Sequence, residues 1–190
     1  MVYCADIKFL SSQLIVEAIH VQINLRGKSL MLNPEIKLLL AGLDQAYDRK
    51  SWHGTNLRGS LRGLSIKTAA WRPAPKRHNI WEIVVHAAYW KYAVYRRLTG
   101  EPRGSFALKG SNWFTRPEEQ TESAWQTDLK LLAETHQALR AAIAAMKPRE
   151  LNKISLGGKV DNLALISGIA AHDLYHAGQI QLLKRLAPGK

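Results

Sequence analysis

From Met31 onward, apolar residues recur every three or four positions in four long stretches, a spacing that predicts four amphipathic helices. Asn33-Pro34-Glu35 opens the first with an N-cap, a proline at the first helical position and an acid in the first turn. Ile36, Leu39, Leu40, Leu43 and Tyr47 then mark one face, to about Arg49. Trp52-His53-Gly54 breaks the pattern, and Thr55 to Leu64 reads as a short extra helical segment with Leu57, Leu61 and Leu64 on one side. Arg72-Pro73-Ala74-Pro75 is a loop, because two prolines remove donors and clash with a continuing helix. The second long helix spans about Asn79 to Leu98, with Ile80, Ile83, Val84, Ala87, Val94 and Leu98 as its stripe. A loop rich in Gly and Pro follows from Gly100 to Pro117 and carries Trp113 and Phe114. The third helix covers about Glu118 to Met146, with Trp125, Leu129, Leu132, Leu139 and Ile143 inward. The fourth covers about Asn162 to Leu186, with Leu163, Ile166, Ile169, Ile180 and Leu183 inward. No strand-like alternation appears, so the expected class is an all-α helical bundle. Residues 1–30 lack the periodicity and read either as a poorly ordered N-terminal extension or as the product of a start placed upstream of Met31, ahead of one bundle domain over residues 31–187.

Composition narrows the chemistry. Cys4 is the only cysteine, so a disulfide framework and a thiolate zinc site are excluded, and any metal must be held by imidazole, carboxylate or carbonyl groups. No window reaches the roughly 18 consecutive apolar residues of a membrane span. The apolar pieces before Leu30 have no basic start and are interrupted by Asp6 and Glu17, which argues against a secretory signal. The expectation is a cytoplasmic protein with no membrane partner. The net charge is +12, and every charged side chain from Arg49 to Arg77 is a cation. That stretch reads first as a solvated basic face and, more sharply, as a place for an anionic small molecule. No nucleic-acid fold signature accompanies the charge, so nucleic acid is not an expected partner.

The residues with most chemical potential are histidines. His172 and His176 lie four positions apart on a helix, an advance of about 400° and about 6 Å, so both rings project from one face and can grip one ion. Neutral imidazole is a good ligand for first-row divalent metals. A third ligand must come from another helix. His86 lies beside the inward residues Ile83 and Val84, where an imidazole without a hydrogen bond or a metal is costly. His136, on the stripe of Leu132, Leu139 and Ile143, is its rival. His20, His53 and His78 fall in the extension or in loops and read as non-ligands.

Two separated stretches then resemble one known family. His172-Asp173-Leu174-Tyr175-His176-Ala177-Gly178-Gln179-Ile180, with Leu182-Leu183-Lys184-Arg185 after it, is similar to the terminal helix of the DinB/YfiT-like proteins. His78-Asn79-Ile80-Trp81-Glu82-Ile83-Val84-Val85-His86 is similar to their second helix, and Trp52-His53-Gly54 and the Trp113 loop resemble one branch. The likeness covers about residues 31–187. It implies a DinB-like four-helix bundle, the ligand set His86, His172 and His176, no ligand role for His136, and a homodimer. Some relatives are transferases or isomerases that use low-molecular-weight thiols, and many have no established activity.

Three histidines leave coordination positions open, as reactive rather than structural sites do. They are neutral, so the ion keeps its full charge, and a bound water or thiol loses its proton more easily. Zinc, nickel, manganese and iron(II) all accept such ligands. The expected function is a metal-dependent thiol transferase or hydrolase acting on a small molecule. The alternative is a non-catalytic stress-related or interaction protein whose metal stabilises the bundle. Around the ligands, Gln179 is placed to point at the site and Tyr175 to pack or hydrogen-bond nearby. Asp173 faces elsewhere in a supporting role, and Glu82 either orients His86 or sits in solvent. Trp52, Trp81 and Trp90 read as core or pocket lining, Gly178 as a point of close helix packing, and Trp113 with Phe114 as a hydrophobic plug or lid.

Overall fold

The computed structural model of the protein describes residues 33–155 and 158–188. The reading of residues 1–30 as an extension lies outside the described residues. Among these, six α-helices and one 3-10 turn carry the fold, and the only β-type pairing is an isolated bridge between Ile154 and Asp161.

Local chemistry sets each boundary. Helix α1, Pro34–Tyr47, starts where the Asn33 side chain accepts a hydrogen bond from the Glu35 amide at 2.9 Å. The expected segment at Thr55–Leu64 holds a short helix, α2 (Leu57–Ser60), and an unexpected one, α3 (Ile66–Ala70), follows it. Gly63 at φ 68° cannot continue a right-handed helix, and Ser65 restarts one by accepting from Thr68 N at 3.1 Å. Helix α4, Ile80–Thr99, opens on a capping box in which Asn79 and Glu82 bond each other's main chains, and ends at Gly100 with φ 79°. Helix α5, Glu122–Ala145, begins four residues later than the apolar spacing predicts, because Thr121 supplies the cap by accepting from Ala124 N. Pro148–Glu150 forms the 3-10 turn, and α6, Asn162–Leu186, is capped by Asp161 through Ala164 N at 2.8 Å.

The four long helices form a closed bundle: α4 packs on α5 and α6, and α1 packs on α6 and α5 from the other side. Helix α2 also rests on α6, and α3 on α4. Residues 80–88 of α4 are buried on every side, which makes it the central element. One apolar cluster surrounds Trp81, Ile83 and Val84 and includes Trp125, Leu132 and Ile180. A second gathers Ile36, Leu40, Leu43, Leu139, Ile143 and Ile166. Trp81 is core as expected, but Trp52 is 99% exposed, on a turn whose residues 52–54 are all exposed. Leu163 is also exposed, at 41%, since the inward face of α6 in that turn is taken by Leu165 and Ile166. Apart from its own helix main chain, Gly178 has no atom within 4 Å of where a Cβ would sit, so its expected role in close packing is not found among the described residues.

Candidate metal centre

His86 leaves the buried middle of α4, and His172 and His176 leave one face of α6, which packs directly on α4. Their Nε2 atoms converge. His172 Nε2 lies 3.2 Å from His86 Nε2 and 3.1 Å from His176 Nε2, and one ligand atom from each residue lies within 4.8 Å of the others. His86 and His176 are buried, and His172 is half-buried.

The outer nitrogens show what the inner ones are. His86 Nδ1 is 2.8 Å from the carbonyl oxygen of Asn112, which can only accept, so Nδ1 carries the proton and Nε2 presents a lone pair. His176 Nδ1 donates in the same way to Gln179 Oε1 at 2.7 Å. Imidazole ligands are typically oriented by such bonds, which raise the basicity of the ligating nitrogen. His172 Nε2 touches both lone pairs, and one proton on it satisfies only one of them. The other lone pair is then left facing a nitrogen with no proton for it, or His172 also presents a lone pair and no contact is a hydrogen bond. A divalent cation among the three nitrogens removes the conflict, so the donor set fits a metal ion. His172 Nδ1 is buried without a hydrogen-bond partner.

The surroundings keep the rings neutral. Burial, with His176, His86 and Lys91 nearby, pushes His172 down to about 3. Burial is also the main cause that brings His176 down to about 4 and lowers His86. His136, the rival ligand, is elsewhere in the bundle, stacked on Tyr47 with ring centroids 3.7 Å apart, and burial pushes it down to about 3. All four lie below the unfolded value of about 6.5. As pH falls, the unfolded chain therefore takes up protons before the folded one. Metal-free protein is expected to keep its full stability above about pH 6.5 and to lose it as pH falls from there toward 3. A urea midpoint at pH 5 equal to that at pH 7.5 would contradict this assignment.

A loop holds the site from above. Trp113 is sandwiched between His86, at a centroid distance of 3.8 Å and 9° between planes, and His78, at 3.6 Å and 5°. His78 Nδ1 contacts Glu82 Oε2 at 3.0 Å, and Arg72 pairs with both oxygens of Glu82. Glu82 thus neither orients His86 nor faces solvent, but anchors the outer end of this stack. The loop is tied down behind Trp113 by Arg116, which makes two bonds to buried Asp128 of α5 at 2.7 and 2.8 Å, while Trp81 Nε1 donates to the same carboxylate. Asn112 stands at φ 65°, which turns its carbonyl onto His86, and its side chain accepts from Trp90 Nε1 at 3.0 Å. Tyr175 is exposed and meets His176 edge-on at 5.1 Å.

Two residues beside the site escape the sequence reading. Asn112 acts through its main chain, which no side-chain pattern announces. Lys91 is fully buried on α4 and pairs with Asp173, the neighbour of His172. A lysine between Ala88 and Val94 on an apolar stripe was the available signal.

The family model of the DinB superfamily matches residues 50–180. The chain belongs to the DinB superfamily. The matched stretch contains all three converging histidines and the Trp113 loop, and it agrees with the helical bundle seen here. No curated protein and no solved structure matches the chain significantly.

Proposed function

We propose that this DinB superfamily member is a divalent-metal-dependent enzyme, a thiol-dependent transferase or a hydrolase, with His86, His172 and His176 as the metal ligands. The convergence of three Nε2 atoms, two of them fixed as lone-pair donors by acceptors behind the rings, carries this reading. Zinc, nickel, manganese or iron(II) suits the donor set, and when bound such an ion supplies Lewis-acid activation of a water or a small thiol.

The chain's own residues supply the rest. Asn112 O and Gln179 Oε1 hold the Nδ1 protons, so the ligand nitrogens stay unprotonated and aimed. Trp113 covers one face of His86 and excludes water from it. The half-buried state of His172 leaves the cluster reachable by a small substrate. Of the cations at 49–77, Arg49 and Arg58 pair with Asp48 and Arg72 pairs with Glu82, so those three are already engaged by carboxylates.

The reading includes a homodimer and a cytoplasmic site of action. Tyr175, Leu182 and Leu186 stand exposed along one line of α6, as an interface between copies requires, and light scattering on the purified protein tests it. None of the described helices is long and apolar enough to cross a membrane.

Replacing Gln179 by alanine removes the acceptor behind His176 while leaving all three ligands. Metal affinity is expected to fall by about 10–100-fold, with circular dichroism unchanged. Chelator competition giving the wild-type constant would remove Gln179 from the site. Thiol-conjugation and ester-hydrolysis screens with the reconstituted protein test the activity. Turnover that survives loss of the metal would sink the metal-dependent reading.

A further inference from the structure

Trp90 faces two ways. One side of its ring lies 6.4 Å from the ring of His86 and 6.3 Å from that of His172. Its other surroundings are a cleft of about 580 Å³ between the last turns of α4 and the loop at 103–111. That volume is in the range of small-molecule sites, roughly 300–1,000 Å³. Its inner wall is aromatic: the ring of Phe106 lies 5.3 Å from both Tyr89 and Tyr92. Its charged groups are all cationic, Arg96, Arg97, Arg103 and Lys109, and no carboxylate lines it.

The charges are uncompensated. Arg97, Arg103 and Lys109 have no ion-pair partner among the described residues, and Arg96 donates only to a main-chain oxygen, that of Glu101, at 3.3 Å. Arg96 and Arg97 are half-buried where they line the cleft. An ordinary surface intersperses both signs. Four cations around an aromatic hollow instead match one chemistry: a flat apolar body carrying an oxyanion, with guanidinium groups on the anion and rings against the body.

We propose that this cleft is a binding site for a small aromatic molecule bearing a carboxylate or phosphate, held at its anion by Arg97, Arg103 and Lys109. The cleft's volume and aromatic wall favour a small molecule over a nucleic-acid strand, which tracks an extended groove. The site stands whether or not the histidines hold an ion. Its wall is nonetheless shared with them, since Trp90 bonds Asn112 and Asn112 bonds His86.

Calorimetric titration of the full chain tests this with 1-naphthoate and 1-naphthyl phosphate as probes and neutral 1-naphthalenemethanol as comparator, in zinc-loaded and chelated protein. At least one anion is expected to bind in a one-site isotherm about tenfold or more tighter than the neutral compound, equally with and without zinc. Arg103→Ala/Lys109→Ala, two exposed loop positions, is expected to weaken it about tenfold or more with the circular dichroism spectrum retained, and Arg97→Gln to do the same. Equal binding of the neutral compound, or wild-type affinity in both variants, overturns the proposal. So does binding that requires zinc and vanishes in His172→Ala/His176→Ala, which would place the anion on the metal. Binding only of a thymidine 12-mer, with a steep salt dependence, would assign the cations to nucleic acid instead.

Discussion

Purified protein is expected to carry about one divalent ion per chain, and the His172→Ala/His176→Ala variant none, as read by plasma mass spectrometry. The expectation follows from the nitrogens themselves. With Nδ1 of His86 and His176 committed to acceptors, both of their Nε2 lone pairs face His172 Nε2 in the metal-free cluster, at 3.2 and 3.1 Å, and its single proton leaves one contact unsatisfied. The metal relieves that contact in the folded state only, so it adds to stability. At a free metal concentration of about 1,000 times Kd the gain is about 4 kcal/mol, or roughly 8–16 °C in Tm for a chain of this size. Chelation of the wild type should lower Tm by that order, and chelation of the double variant should leave it unchanged. His86→Ala should weaken binding while the pair on α6 retains some. No metal in wild type and variant alike, even after reconstitution, would reduce the three histidines to packing residues and sink the enzyme reading with them.

Much of this centre was legible in the chain before any coordinates. The i, i+4 spacing of His172 and His176 is a helical signal, and α6 runs over the span its apolar period and its stop at Pro188 predict. The choice of His86 over His136 was not legible from burial, since both lie on apolar stripes and both are buried. It came from the resemblance, and the geometry now gives the physical reason: α4 and α6 are in contact at the level of His86, whereas His136 stacks on Tyr47 of α1. The loop was the least legible part. The sequence showed Trp113 and Phe114 as a plug, and Phe114 is indeed buried. That Trp113 lies flat between two histidines depends on Arg116 finding Asp128, a residue 12 positions away that periodicity alone assigns to a solvent face or a core with equal ease. Trp52 shows the converse error. Its size argued for burial, but burial needs a covering element, and among the described residues the turn leaves residues 52–54 exposed.

Below the metal site the structure predicts its largest stability effect. Lys91 of α4 and Asp173 of α6 form a fully buried ion pair, with Lys91 Nζ 5.0 Å above the ring of Tyr47. Asp173 Oδ1 has no second partner, and burial pushes its carboxyl up against the pull of Lys91. A pair desolvated to this degree is held together by its own attraction, and removing one member strands a charge. Lys91→Met is therefore expected to cost about 3–5 kcal/mol, a fall in Tm of roughly 6–20 °C. Lys91→Met/Asp173→Leu replaces both charges by apolar groups of similar reach, which is often neutral or stabilising, so the double variant should recover most of the loss or exceed the wild type. The pair also joins the two helices that carry the ligands, yet none of its atoms belongs to the metal cluster. The double variant should accordingly keep its metal. Lys91 opposes protonation of His172 by its charge, so its loss does not starve the cluster of lone pairs at neutral pH, where His172 at about 3 stays neutral by a wide margin. A single variant within about 1 kcal/mol of wild type would show that the two charges are hydrated in solution. Loss of metal in a stable double variant would show instead that the pair aligns α4 with α6, and that the bundle's most expensive contact exists to set the distance between His86 and His172.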